Sequence, residues 1–453
     1  MDAFVSRKKR RISSPVQHET AQQPSTLTVA EDDESTDFKL ALLSSLHPNV
    51  DQNALLDILL AHEGSVESSS NSLQAGYSLP RKSSAATGYQ SSLLSNFTSS
   101  HETKGPDTPQ RKLISKRGKT LHLFSPEDVA SHTPCSIIHN FLPVEEANDL
   151  LKELLQEAQT FERMTFKLFD NVVQSPHTTS FYVEGLEEMR KQQTEYIYNG
   201  GLLTDVRQLT PVMRRVSPKV AAAVNKEIAM RIATRYPGAK KLKHQSPNEW
   251  NPNAACVNCY SGAAESVGYH SDQLTYLGPR AVIGSISLGV AREFRVRRVV
   301  PQDEPSGMEK KDKSKAASDA EGQISIHLPH NSLLVMHAEM QEEWKHSIVP
   351  AQAIDPHPIS GTKRINITYR NYKSSMHPKF TPKCKCDVPA VLRVVQRKKE
   401  NWGRYFWMCY AGNVPEKANC SYFEWASFDE DGEPIWNKKL KMFSEASPRS
   451  VPS

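Results

Sequence analysis

The sequence predicts an α+β protein in which two helices lead into a β-sandwich or barrel, with small modules on polar linkers at either side. Two observations predict the large domain. Apolar residues recur at helical spacing in two stretches, and after Trp250 the patterning turns to strands. A third predicts the linkers: of 453 residues only 38% are apolar, and Pro (29) outnumbers Gly (20).

Residues 1–36 are polar and read as a disordered tail. Arg7, Lys8, Lys9, Arg10 and Arg11 form a basic run that fits a nuclear import address; a solvated tail is the alternative. The N-terminus lacks the apolar core of a secretory signal. No apolar run approaches the roughly 18 residues of a membrane span, so no membrane role is expected. The net charge of +5 permits nucleic-acid binding without proving it.

Residues 37–75 carry apolar helical segments on both sides of His47-Pro48. Gly64 follows as a C-cap, and a third short helix is expected from about Ser65. The Leu46-His47-Pro48 turn and the Leu59-Leu60 pair resemble a CUE domain, a three-helix ubiquitin-binding module. That resemblance implies ubiquitin as a partner; a generic helical interaction module is the alternative. Residues 76–120 are rich in Ser, Thr, Gly and Lys and read as a linker.

The large domain is expected over 121–374. Its first helix follows Pro143, with Ala147, Leu150, Leu151, Leu154, Leu155 and Ala158 on one stripe. Its second is expected near 218–235, from Val220, Val224, Ile228 and Ile232. Strand patterning follows in "AACVNCY", "RAVIGSISLGV", "REFRVRR", "ISIHL", "SLLVM" and "RINITYR", with a charged hairpin insertion at 300–323.

Three motifs carry chemistry. His270 and Asp272 stand two apart, so an extended segment points both the same way. His346 follows in "MQEEWKHSIVP". Two histidines and a carboxylate can occupy one face of a metal octahedron, as in non-haem Fe(II) oxygenases. In "RINITYR", Arg364, Asn366, Thr368 and Arg370 share one strand face, and two arginines there call for an anion. Each piece also has a structural reading: a hydrogen-bonded loop pair, ion-pair arginines, or His337 as a competing histidine that is only a surface or supporting residue. Cys256 and Cys259 in "CVNCY" read as strand residues rather than a zinc pair.

The stretch 250–374 resembles the AlkB family of Fe(II)/2-oxoglutarate dioxygenases, most closely its eukaryotic branch acting on alkylated DNA. "NCYSGAAESVGYHSD", "MQEEWKHSIVP" and "RINITYR" carry the resemblance. It implies a double-stranded β-helix, or jelly roll, with flanking helices. It implies that His270, Asp272 and His346 bind Fe(II). Arg364 would clasp the distal carboxylate of 2-oxoglutarate, helped by Asn258 and Tyr260, with Arg370 near the C1 carboxylate and Thr368 lining the site. Phe169 stands about where relatives carry an aromatic wedge; plain core is the alternative. Pro176-His177 replaces the family's Pro-Arg.

Over 380–430, Cys384, Cys386, Cys409 and Cys420 supply four thiolates for Zn(II), a staple that so small a module needs. Arg404, Phe406 and Trp425 lie among further cations and aromatics, a composition suited to single-stranded nucleic acid. The stretch resembles a GRF zinc finger, with Gly403-Arg404-Tyr405-Phe406 as its signature; a protein-binding zinc knob is the alternative. Residues 431–453 are a tail. The expected whole is a nuclear, monomeric oxidative demethylase of alkylated bases such as 1-methyladenine and 3-methylcytosine in DNA. The alternatives are an RNA demethylase or protein hydroxylase of the same mechanism, or a non-catalytic ubiquitin/DNA adaptor.

Overall fold

A computed structural model describes residues 43, 46, 47, 50, 55, 58, 59 and 66–74, then 120–435 apart from 169–170, 199–200, 302–321 and 416. The basic run at 7–11, most of the CUE-like module, the linker up to residue 119, Phe169, most of the hairpin insertion and the C-terminal tail beyond residue 435 lie outside the described residues. Of the module, helix α1 (Val66–Gln74) is described, and Leu43, Leu55 and Leu59 are buried together. No described helix is long and apolar enough to cross a membrane.

The large domain contains β1 (Thr120–Leu123), α2 (Pro126–His132), β2 (Cys135–His139) and α3 (Val144–Glu157). Then follow β3 (Thr165–Leu168), β4 (Asn171–Gln174), β5 (Thr178–Val183), α4 (Leu186–Glu195), β6 (Ile197–Tyr198), β7 (Gly201–Leu202) and β8 (Val206–Gln208). Helix α5 (Pro211–Arg235) leads to β9 (Ala254–Ser261), β10 (Val267–His270), β11 (Ile283–Gly289) and β12 (Arg292–Arg298). Then come β13 (Gln323–Leu328), β14 (Ser332–Met336), α6 (Met340–Glu343), β15 (Trp344–Ile348) and β16 (Lys363–Arg370).

Five strands form one sheet, ordered β1-β13-β12-β15-β10; seven form the other, ordered β2-β14-β11-β16-β9-β5-β8. Strand patterning after Trp250 finds much of this core but misses β1, β2, β5 and β8 before it. Strands β1 and β8 have only four and three residues, and the runs of successive buried residues that open β2 and fill most of β5 leave little period-two signal to read. Helix α3 buries Ala147, Leu150, Leu151 and Leu154 as its stripe predicts. Helix α5 begins at Pro211 rather than near 218. Thr210 caps it by accepting the Met213 N–H, Pro211 fits a first-turn position, and Pro218 is carried inside.

One face of the seven-stranded sheet packs on α3 and α5. There Ile365, Ile367 and Tyr369 of β16 join Val257, Val220 and Val224. The other face looks toward the five-stranded sheet, where Tyr260 and Ile283 meet Phe294, Val296 and Ile348. Alternation along β16 therefore turns Arg364, Asn366, Thr368 and Arg370 into the space between the sheets. Gly289, at φ +86°, closes β11 against the start of β16; a Cβ there would lie 2.3 Å from the Lys363 carbonyl oxygen.

After β16 come β17 (Val391–Val394), β18 (Tyr405–Met408) and β19 (Phe423–Ala426), one antiparallel sheet. Its inner side chains, Leu392, Tyr405 and Trp407, are buried in a cluster with Leu274 and Met340 of the large domain and Met376 just after it. The cysteine-rich module therefore shares a hydrophobic core with the sandwich.

Candidate active site and metal centres

Strand β10 ends at His270, which pairs across the ladder with His346 of β15, so both imidazoles project from one face. Asp272 stands two residues on. Its Oδ1 lies 3.3 Å from His346 Nε2 and 3.7 Å from His270 Nε2. The donor atoms of the three residues all lie within 4.8 Å of one another. His270 Nδ1 is 2.8 Å from the Gly268 carbonyl oxygen. A carbonyl only accepts, so Nδ1 carries the proton and Nε2 offers its lone pair to the cluster. Two imidazole nitrogens and one carboxylate oxygen are the donors that a facial iron site needs.

Asp272 is held from several sides. Its backbone N–H donates to Gln341 Oε1 at 2.7 Å, and Arg370 Nη2 donates to its Oδ2 at 2.7 Å. Burial alone would push the carboxyl up. Arg370 and the two histidines outweigh it and hold Asp272 well below the usual carboxylate range.

Arg364, at the other end of the face, is 1% exposed. Its Nη2 donates to Ser287 Oγ at 2.8 Å, while Nε and Nη1 make no hydrogen bond among the described residues. The Tyr260 ring lies 5.3 Å from its Cζ, and burial pulls the guanidinium down to about 10. A buried cation with two nitrogens free of hydrogen bonds among the described residues and no described carboxylate beside it fits a group that receives a ligand carboxylate.

Between the arginines the face is a polar ladder. Asn366 Nδ2 donates to Ser285 Oγ at 2.7 Å, and Thr368 Oγ1 donates to Asn366 Oδ1 at 3.1 Å. Asn258 is the cross-strand partner of Asn366, and Tyr260 that of Arg364. The structure therefore brings the predicted residues together from two facing sheets: His270 and His346 on β10 and β15 of one, with Asp272 just past β10, and Asn258, Tyr260, Arg364, Thr368 and Arg370 on β9 and β16 of the other. Arg370 is engaged by the Asp272 carboxylate.

His337 is neither a surface residue nor a neighbour of the metal cluster. It is 1% exposed and bonded to Ser136 Oγ of β2 at 2.7 Å. Cys256 and Cys259 are buried strand residues of β9, as their alternation predicts. Sequence reasoning missed Ser285, Ser287 and Gln341, single polar residues that carry no motif. His177 also has a place here: it stacks on Tyr260 at 4.7 Å, and burial lowers its imidazole to about 4.

In the terminal module, Cys384, Cys386, Cys409 and Cys420 also bring their sulfur atoms within 4.8 Å. Cys409 Sγ accepts backbone N–H bonds from Ala411 and Cys420 at 3.5 and 3.4 Å, the support that a metal-bound thiolate needs. Four sulfur donors fit Zn(II). On the outer face, the Arg404 guanidinium lies 3.8 Å from the Trp425 ring centroid, and Phe406 stacks on Phe423 at 5.2 Å. Trp425 is 39% exposed and Phe423 53%. Trp407, one of the interleaved aromatics, points inward instead, because alternation along β18 sends it to the core. A third donor set, His122, Glu293 and His327, lies on the five-stranded sheet. There the two imidazoles bond each other at 3.0 Å, and Arg295 and Ser325 hold Glu293.

Residues 134–370 match the family model described as the 2OG-Fe(II) oxygenase superfamily, and residues 382–429 match that of the GRF zinc finger. The chain is 38% identical over 124 residues to DNA oxidative demethylase ALKBH2 of Arabidopsis thaliana, covering 26% of this chain and 37% of that protein. It is 23% identical over 262 residues to alpha-ketoglutarate-dependent dioxygenase alkB homolog 3 of Homo sapiens, covering 58% and 73%. Human ALKBH2 is 28% identical over 119 residues, covering 26% and 39%. Both ALKBH2 matches span well under two thirds of those relatives' own length.

Proposed function

The chain belongs to the 2OG-Fe(II) oxygenase superfamily, whose family model covers more than half of its 453 residues, and from that premise we propose that it oxidatively removes alkyl groups from bases in DNA. The superfamily implies Fe(II) and 2-oxoglutarate as cofactors. The observation that carries the reading is Arg364, a buried guanidinium with two nitrogens unbonded among the described residues, on the same strand face as the Asp272 partner Arg370.

His270, Asp272 and His346 would hold the iron, and Arg364 with Tyr260 the far carboxylate of 2-oxoglutarate. When bound, this pair supplies oxidation of an N-methyl group by O₂, with formaldehyde, succinate and CO₂ as products. The chain's own residues position and exclude. Arg370 fixes the Asp272 carboxylate in its ionised form. The Gly268 carbonyl fixes the His270 tautomer. The apolar rings of Phe294 and Tyr260 wall the site. A duplex base must leave its stack to reach such an interior.

The relatives' names support nucleic acid as substrate: two are DNA oxidative demethylases. The cation–aromatic face of the zinc finger supports a single strand as the form captured, and counts against a protein substrate. A nuclear location, from Arg7 to Arg11, and ubiquitin recruitment, from the CUE-like turn, complete the proposal. The test supplies protein, Fe(II) and 2-oxoglutarate with oligonucleotides bearing N1-methyladenine or N3-methylcytosine, as single-stranded DNA, duplex DNA and RNA. Formaldehyde release, abolished in Asp272→Ala, is the expected result. An iron-loaded protein that turns over none of these substrates would refute it.

A further inference from the structure

We propose that the zinc finger is a working part of the oxygenase centre, with Gln396 of the finger as a positioning residue for the iron ligands. This rests on the assignment of His270, Asp272 and His346 as those ligands and says what holds them.

Gln396 follows β17 in a turn closed by two backbone bonds, Val395 N–H to the Arg404 carbonyl at 2.9 Å and Gly403 N–H to the Val395 carbonyl at 2.8 Å. Its Nε2 lies 3.2 Å from Ser271 Oγ, 3.0 Å from the Gln341 carbonyl oxygen and 3.2 Å from that of Glu342. Ser271 is the residue between His270 and Asp272. Gln341 and Glu342 lie just ahead of β15, which carries His346. One amide nitrogen with two hydrogens thus ties together the two segments that supply all three ligands.

The tie closes on itself. Ser271 Oγ donates onward to the Trp344 carbonyl at 3.1 Å, and Gln341 Oε1 accepts the Asp272 N–H at 2.7 Å. Two further bonds anchor the finger beside it: Tyr405 Oη donates to Glu342 Oε1 at 3.1 Å, and the Leu392 N–H donates to Thr275 Oγ1 at 3.2 Å. Leu392, Tyr405 and Trp407 are buried with Leu274 and Met340 of the large domain. A module that merely tethers substrate needs none of these contacts. Removing the Gln396 donor takes a hydrogen bond from the carbonyl oxygens of two buried residues, Gln341 and Glu342, and frees the loop between two metal ligands. By linkage, a finger that favours the iron geometry is itself held in place when metal binds.

The test uses the full, zinc-loaded chain and Mn(II) as probe, an ion that suits nitrogen–oxygen sites rather than four thiolates. Mn(II) binding is read by electron paramagnetic resonance, alongside zinc content and melting temperature. Gln396→Met, close in shape but without the donor, is expected to bind Mn(II) about tenfold more weakly with zinc retained. Gln396→Glu, which turns a carboxylate toward two carbonyl oxygens, is expected to bind more weakly still. Variants that melt earlier but bind Mn(II) like the wild type would show a structural role only and overturn the inference. Wild-type protein that takes up no Mn(II) would overturn the ligand assignment, and the inference with it.

Discussion

The two ends of β16 carry the same residue on the same face and meet opposite surroundings. Arg370 has its charge answered inside the protein, by Asp272 at 2.7 Å. Arg364 is more deeply buried, and among the described residues it bonds only to a serine hydroxyl and keeps two nitrogens open. The difference separates two uses of a buried guanidinium. One completes a folded ion pair and fixes a metal ligand. The other keeps binding capacity at a cost in stability, and a ligand carboxylate recovers that cost.

Substitutions that remove each charge while keeping bulk should split the two ends. Arg370→Met strands the buried Asp272 carboxylate, and metal-free protein should lose about 3 kcal/mol in denaturant unfolding. Arg364→Met should not lower stability at all, since it removes an unmatched charge. It should instead weaken 2-oxoglutarate binding about a hundredfold, the worth of two charge-assisted hydrogen bonds. Arg364→Lys keeps the charge and loses the fork, so calorimetry should find an intermediate affinity, with single-strand binding by the finger unchanged.

Glu342 offers a third case, a buried acid whose charge is poorly met. Burial raises it to about 7, against Arg280 and Tyr405, which favour the charged form. Its unfolded carboxyl titrates at about 4.3, so from there to about pH 7 the folded chain holds the extra proton. Stability should therefore fall as pH rises through that window. Glu342→Gln should remove this slope, matching wild type near pH 5 and exceeding it near pH 8 in thermal melts. The smallest effect belongs to the outer finger face. Trp425→Ala should weaken single-strand binding about tenfold, in line with one stacked base, and leave 2-oxoglutarate affinity alone.

The legible parts of the site were those with a period or a fixed spacing. The alternation in "RINITYR" puts four polar groups on one face, and the structure turns that face inward. His270 and Asp272 are two apart on extended chain, and their donor atoms do converge. What alternation cannot carry is partnership between distant segments. Nothing local says that Arg370 meets Asp272, 98 residues away, or that His346 sits opposite His270. Gln396 was invisible for the same reason: a lone glutamine has no motif, and its role exists only because the finger packs against the sandwich. Aromatic content alone also does not say that Trp407 turns into the core while Phe406 beside it does not, because composition does not record which side of a strand a residue takes.

The most direct measurement is 2-oxoglutarate titration into Mn(II)-loaded wild-type and Arg364→Met protein, with melting temperatures taken on the same samples. An unmatched charge reserved for the ligand predicts saturable binding in the wild type, binding weakened about a hundredfold in the variant, and a melting temperature that stays level or rises. A variant that binds 2-oxoglutarate as tightly as the wild type, or that melts markedly earlier, would contradict that account of Arg364.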